Sequence, residues 1–412
     1  MQVVHARCCG LDIHKKTVVA CVLLTGPNGH VHREVRTFGT MTIDLLALSD
    51  WLAACEVTQI AMESTGVYWR PVFNLLEDEH RALVLVNPQH IKAVPGRKTD
   101  VKDSEWLADL LRHGLIEPSF IPPAPIRELR ELTRHRKALV QQRTQEVNRL
   151  QKVLEGANIK LASVATSMLG KSAREMLEAL LAGEADVAVV ANLARGPMRA
   201  KIPQLRQALR GQLQPYHHLL LRQILAHMDF LEAAIAQLEG EIEQRLRPYE
   251  QAVQLLQTIP GVKAVAAATL VAELGVDMTQ FPSAKHLASW AAVCPGNKQS
   301  GGKRLSGKTR RGNAWLKAVL CEVAWANARS QTSYIGAQFR RLTRRRDVYK
   351  ALIAVAHSLL VIIYHVLKTQ RPYHELGPDY FDRLEQAQLE RHHVRRLEQL
   401  GYTVTLSPQG IS

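Results

Sequence analysis

The sequence predicts an α/β unit followed by a mostly helical remainder with a long helical (coiled-coil) middle, and three observations predict it. Up to about residue 120, short apolar runs of strand length alternate with segments in which apolar residues recur every three or four positions. Residues 126–154 and 219–246 keep the helical spacing far longer, through Leu129, Leu132, Leu139, Val147 and Leu154 in one and Leu220, Ile224, Met228, Leu231 and Ile235 in the other. Between the two regimes Pro118, Pro122, Pro123 and Pro125 break the chain. The expected domains are residues 1–120, 121–250 and 251–370, with a loosely ordered tail over 371–412.

Taken in order, residues 10–16 separate two strand-like runs, the second over 17–24; Pro27-Asn28-Gly29 is a turn, and residues 31–38 alternate as a third strand. Residues 42–54 read as a helix with Leu45, Leu46, Leu48, Trp51 and Leu52 on its apolar face. A fourth strand over 57–62 leads to Glu63, a second helix covers 68–79, and a fifth strand over 82–86 ends at Asn87-Pro88. The next helix is capped by Thr99 or Asp100 and carries a stripe of Leu107, Leu110 and Leu111. The order is β-β-β-α-β-α-β-α. The two long amphipathic helices suggest an antiparallel hairpin or a coiled coil that pairs subunits. Residues 156–215 between them read as short helices broken by Gly183, Gly196, Pro197, Pro203 and Pro215.

Of the 412 residues, 46% are hydrophobic and 22% charged, an ordinary globular balance. Fifty-three Lys and Arg against 38 Asp and Glu leave +15, which points to a polyanionic partner, nucleic acid or an acidic membrane surface. No apolar run reaches the ~18 residues that span a bilayer and no secretory signal opens the chain, so a membrane is not expected as partner. The cysteines at Cys8, Cys9, Cys21, Cys55, Cys294 and Cys321 form no CxxC pair. That argues against a zinc site or a disulfide framework and for a reduced, cytoplasmic protein. Arg127, Arg130, Arg134, Arg136, Lys137 and Arg143 on the first long helix read equally well as a phosphate-binding face and as a solvated one.

Four carboxylates stand out. Asp12 falls in the first strand, Glu63 at the end of the fourth, and Asp100 and Asp103 lie three apart at a helix start, where both lean the same way. Ends of neighbouring strands are where α/β folds gather functional groups. Carboxylates gathered there repel, and Mg²⁺ offsets the repulsion; two such ions clamp the attacking and leaving oxygens of a phosphoryl transfer. Taken singly, Asp12 is a turn residue, Glu63 a strand end, and the aspartate pair an N-cap with an acidic first turn.

In the C-terminal region, residues 256–274 read as a helix, a tight Pro260-Gly261 turn and an alanine-rich helix, either a phosphate-facing turn or plain close packing. Residues 295–313 hold five glycines and six Lys or Arg, which predicts a flexible cationic loop contacting nucleic acid through Lys298, Lys303, Arg304, Lys308, Arg310 and Arg311. The spacing is not that of a Walker A loop. Ser300 is a candidate nucleophile, because flanking glycines let a phosphate approach and nearby cations stabilise the alkoxide and phosphorane charge. It needs the metal site or a base, and Ser306 is the competing serine. Residues 314–328 and 351–367 predict apolar helices, residues 339–346 are strongly basic, and His392-His393 lacks metal partners and reads as surface.

Gly-Leu-Asp-Ile-His-Lys at 10–15, Met-Glu-Ser-Thr-Gly-Val-Tyr-Trp at 62–69 and Lys-Thr-Asp-Val-Lys-Asp at 98–103 resemble the DEDD transposases of the insertion sequence one-ten family. Asn87-Pro88 fits as well, and the resemblance covers residues 8–115 and 250–370. It implies a RuvC-like, ribonuclease-H-type domain whose catalytic, Mg²⁺-binding tetrad is Asp12, Glu63, Asp100 and Asp103. Gln-Ser-Gly-Gly-Lys at 299–303 matches the family's serine motif, which implies a composite site. There Ser300 attacks DNA and forms a phosphoserine link beside the metals. The resemblance further implies a recombinase that excises and inserts a mobile element in double-stranded DNA, as a dimer or tetramer, guided by a bridge RNA. Two alternatives stay open: a Holliday-junction-resolvase-like endonuclease using metal-activated water, and a non-catalytic structural DNA-binding protein.

Overall fold

Among the described residues five strands and three helices build the first of two units, Met1–Ile121; the second is Pro122–Ser412. The computed structural model describes residues 2–64, 66–77, 80–86, 103–168, 170–296, 298–300, 303–309, 312–384 and 386–406, with backbone only at 298–300, 304–306 and 387–389. Asp100, Asn87-Pro88, Arg310 and Arg311 lie outside the described residues.

In the first unit β1 (Arg7–Ile13), β2 (Thr17–Thr25) and β3 (Val31–Gly39) form an antiparallel meander. They are followed by α1 (Thr42–Ala54), β4 (Gln59–Glu63), α2 (Trp69–Leu76), β5 (Ala82–Val86) and α3 (Asp103–Arg112). The sheet order is β3-β2-β1-β4-β5, with β4 parallel to β1 and β5 parallel to β4. The element order is the expected one. The largest strand difference is at the start: residues 10–13 continue the first strand instead of ending it, because Leu11 is buried with the strand, and only His14, Lys15 and Lys16 turn the chain. The second helix is also shorter than the expected 68–79, ending at Leu76.

Both sheet faces are covered, as parallel strands require. Cys9, Leu11, Ile60 and Met62 pack against Leu48, Leu52, Val72 and Phe73 of α1 and α2. On the opposite face Cys8, Cys21, Ala61 and Val86 lie against Leu107, Ala108, Leu110 and Leu111 of α3. Burial pushes the Cys8 thiol up to about 12 and that of Cys21 up to about 11, so these cysteines act as small core residues.

The second unit starts with α4 (Ala124–Gly156), followed by α5 (Leu161–Val164), α6 (Lys171–Leu181), α7 (Val187–Asn192), α8 (Ile202–Ala208) and α9 (Pro215–Leu246). Ion pairs Glu128–Arg245, Arg136–Glu239 and Glu146–His227 run in opposite directions along α4 and α9, so the two long helices form an antiparallel hairpin within one chain. Leu139, Leu231 and Ile235 fill its seam. The short helices between them close its far end, packing Ile159, Met176, Leu177, Val190 and Leu205 onto Leu150, Leu154, Leu221 and Leu225.

The unit continues through α10 (Glu250–Gln257), α11 (Ala264–Leu274), α12 (Ala284–Trp290), the strands β6 (Lys298–Ser300) and β7 (Lys303–Ser306), and α13 (Ala314–Ala328). Then come α14 (Tyr334–Thr343), α15 (Val348–Thr369), α16 (Tyr380–Leu384) and α17 (Gln386–Gln399). Helix α15 packs against α10, α12, α13 and α14 and buries Leu359, Leu360, Ile363 and Tyr364. The expectation that no apolar run reaches bilayer length is corrected here: the helix spans Val348–Thr369 and not only 351–367, is long and apolar enough by length and composition to cross a bilayer, and has half of its most apolar window buried in the fold. The tail also differs from expectation, since α16 and α17 are helical and Phe381 stacks on Tyr334 at 5.2 Å between ring centroids. His392 and His393 are exposed.

Candidate active site

β1 and β4 run parallel with Leu11 opposite Met62, so Asp12 and Glu63 occupy the next rung, at the carboxyl ends of neighbouring strands. Side chains alternate between faces along a strand, and Leu11 and Met62 lie under α1 and α2. Asp12 and Glu63 therefore share the other face, the one covered by α3, whose first described turn carries Asp103. Gly10 makes the close approach of that helix possible. A Cβ at Gly10 would sit 2.2 Å from the Ser104 carbonyl oxygen and 2.5 Å from the Ala108 nitrogen.

The electrostatics agree with this placement. Burial lifts the Asp12 carboxyl above the usual carboxylate range, the negative charges of Asp103 and Glu63 push the same way, and His14 opposes them. The Asp12 Oδ2 lies 3.2 Å from His14 Nε2, and 24% of the Asp12 side chain is exposed. Asp12 thus feels two of the other expected carboxylates, and the fourth, Asp100, is outside the described residues. Among the described residues no group of three His, Cys, Asp or Glu is close enough to hold a metal ion. The donor chemistry nevertheless fits a hard divalent cation: oxygen-only, half-buried, and mutually repelling until a positive charge arrives. His14 was not singled out from the sequence, although its position two residues after Asp12 on an extended segment was the available signal.

The cationic segment is not an open loop. β6 and β7 pair antiparallel, Ser300 opposite Lys303 at the tip and Lys298 opposite Ser306 at the base, with Pro295 bridged to Thr309 beyond them. A Gly-Gly pair between two short runs is a sequence signal for a two-residue hairpin, and the expectation of a loop overlooked it. Lys303 is exposed, and Lys317 Nζ donates to Thr309 Oγ1 at 3.0 Å below the hairpin.

Below the hairpin, Glu273 of α11 is fully buried and held from three sides. Arg134 Nε and Nη2 donate to its two carboxylate oxygens at 2.7 and 2.8 Å, Arg130 Nε lies 3.4 Å from Oε2, and Asn313 Nδ2 donates to Oε2 at 2.6 Å. Asn313 also caps α13, its Oδ1 accepting from the Trp315 and Leu316 amides. Most of the basic side chains on α4 that were read as a possible phosphate face are thereby engaged within the fold. Arg130 and Arg134 hold Glu273, Arg136 pairs with Glu239, Lys137 with Glu322, and Arg127 donates to the Pro122 carbonyl. The Pro260-Gly261 turn is a packing device too: Asn327 Nδ2 donates to the Pro260 carbonyl at 2.7 Å, and Gly261 has φ +81° with no room for a Cβ beside that amide. Sequence reasoning missed Glu273, Asn313 and Asn327, which carry no motif.

Residues 9–159 match a family model described as Transposase, that of the IS110 DEDD transposases, and residues 253–340 match one described as Transposase IS116/IS110/IS902 family. A probable family 20 transposase of Pseudomonas aeruginosa is 25% identical over 321 residues, 76% of this chain and 85% of its own. The transposase for insertion sequence element IS1328 of Yersinia enterocolitica is 24% identical over 302 residues, 72% of this chain and 79% of its own. A pilin gene-inverting protein of Moraxella bovis is 23% identical over 386 residues, 88% of this chain and 96% of its own.

Proposed function

The chain belongs to the IS110 family of transposases, enzymes that recombine DNA, and from that premise we propose that it cleaves and rejoins double-stranded DNA through Ser300 and a Mg²⁺-binding tetrad of Asp12, Glu63, Asp100 and Asp103. The observation that carries the proposal is the shared rung of Asp12 and Glu63 beneath the helix that bears Asp103. The strand order β3-β2-β1-β4-β5 with one antiparallel meander supports a RuvC-like, ribonuclease-H-type fold for this unit. Bound there, Mg²⁺ supplies charge stabilisation to the oxygens that enter and leave phosphorus.

The chain's own groups do the rest. The Ser300 Oγ–phosphorus bond forms as the bond from phosphorus to one deoxyribose oxygen breaks; the serine proton leaves to a base, and the departing sugar oxygen takes one up. Attack by a sugar hydroxyl of the joining strand reverses the step and frees the serine. Lys298, Lys303, Arg304, Lys308, Arg310 and Arg311 offset phosphate charge around the serine, and the backbone pairing of Ser300 with Lys303 supports that role. Insertion and excision of a mobile element, guided by a bridge RNA and carried out by a dimer or tetramer, complete the reading; the family and the +15 charge support it.

The test is a search for a denaturation-resistant protein–DNA adduct after incubation with Mg²⁺, the element's RNA and labelled element-end DNA. We expect an adduct in the wild type, loss of it in Ser300→Ala and in Asp12→Ala, and its retention in Ser306→Ala. Strand cleavage that survives Ser300→Ala and leaves no adduct would replace this mechanism with resolvase-like hydrolysis by water.

A further inference from the structure

The basic run at the end of α14 divides into two kinds of arginine. Arg340 donates to the Ser330 carbonyl, and the Arg341 guanidinium lies 5.1 Å over the Phe381 ring, so both hold the fold. Arg344, Arg345 and Arg346 are exposed, and among the described residues their side chains make no hydrogen bond or ion pair. The one acid beside them, Asp347, accepts from the Tyr349 and Lys350 amides at 2.9 and 3.4 Å as the N-cap of α15. Tyr349 then projects with 76% of its surface exposed and no ring partner among the described residues, and the exposed Lys350 follows it.

We propose that Arg344, Arg345, Arg346, Tyr349 and Lys350 form a binding surface for single-stranded DNA. Four cations around one capping carboxylate suit a phosphate backbone, and an unpartnered aromatic ring among them suits an unstacked base. Duplex DNA keeps its bases stacked and has no use for the ring. The choice of DNA over RNA rests on the reading of the chain as a strand-cleaving enzyme, which exposes unpaired DNA at the break. An acidic membrane surface would use the same cations and an interfacial tyrosine, but half of the helix that starts beside them is buried in the fold, and the vesicle probe below separates the two.

The experiment is fluorescence anisotropy of the full chain without Mg²⁺, so that it is independent of Ser300 chemistry. Probes are a labelled oligothymidine, the matching oligouridine, a duplex of mixed sequence, and vesicles containing phosphatidylserine. Tyr349→Ala should weaken oligothymidine binding about tenfold and leave the duplex within about twofold, while Tyr349→Trp retains binding. The triple variant Arg344→Gln, Arg345→Gln, Arg346→Gln should make the slope of log affinity against log salt shallower by about 2. Thermal unfolding of each variant should match the wild type, because all these side chains are exposed. The proposal is overturned if Tyr349→Ala leaves oligothymidine binding unchanged or weakens duplex binding equally. It is also overturned if only oligouridine binding responds, or if the arginines serve vesicle binding instead.

Discussion

Gly10 is the residue whose role is least visible in the sequence and most constrained in the fold. A glycine in a strand signals a close backbone approach only once the neighbour is known. Here the neighbours are Ser104 and Ala108 in the first two turns of α3, with atoms 2.2 and 2.5 Å from where a Cβ would be. Gly10→Ala must push α3 off the sheet, an overpacking cost of about 1–3 kcal/mol. We expect a lower denaturation midpoint and, at temperatures where the variant is folded, a larger fractional loss of DNA cleavage, because the same shift parts Asp103 from Asp12. A variant with wild-type stability and cleavage would show that the helix does not set the carboxylates. The acids themselves were legible, since Asp12 and Glu63 end apolar strand runs where no core position needs a charge. Their mutual placement was legible too, because strand order and alternation follow from the pattern of buried residues. Asp12's partner His14 was not weighed, for a neighbour two residues along matters only once that segment is known to be extended.

At the scale of elements, periodicity served well wherever one face of a helix is buried. Helices α1 and α13 match the expected residues because their stripes meet a core along their whole length. It failed where composition masks backbone pairing, as in β6 and β7, and where apolar residues are few, as in α17 with its string of charged and polar residues. It was also silent on Glu273. That carboxylate joins α4, α11 and the cap of α13, the helix into which the serine hairpin leads. Removing one member of a buried, hydrogen-bonded charge set leaves the others uncompensated, at a cost of about 3–5 kcal/mol. Glu273→Ala should therefore lower the unfolding free energy by that amount, and Asn313→Ala by about 1–2 kcal/mol through loss of the cap. Chemical denaturation of the full chain measures both, and a Glu273→Ala variant within 1 kcal/mol of wild type would mean that the arginines find other partners.

For the whole molecule, the excess of +15 says that a polyanion is a fitting partner but not which side of the fold meets it. The long helix α4 looked as eligible as the hairpin, because a one-dimensional reading cannot see that Arg136 faces Glu239 and Lys137 faces Glu322 across the fold. Pairs like these leave the net charge unchanged while withdrawing cations from the surface a nucleic acid would touch. Salt dependence separates the two sets, because each phosphate neutralised on duplex DNA adds about 0.9 to the slope of log affinity against log salt. Replacing Lys303 and Arg304 of the hairpin by Gln should make that slope shallower by about 2, since those two cations release counterions on binding. Replacing Arg136 and Lys137 by Gln should leave the slope unchanged, because their charges already face carboxylates. Equal changes in both variants would mean that the ion pairs on α4 open when DNA binds, and the long helix would return as part of the interface.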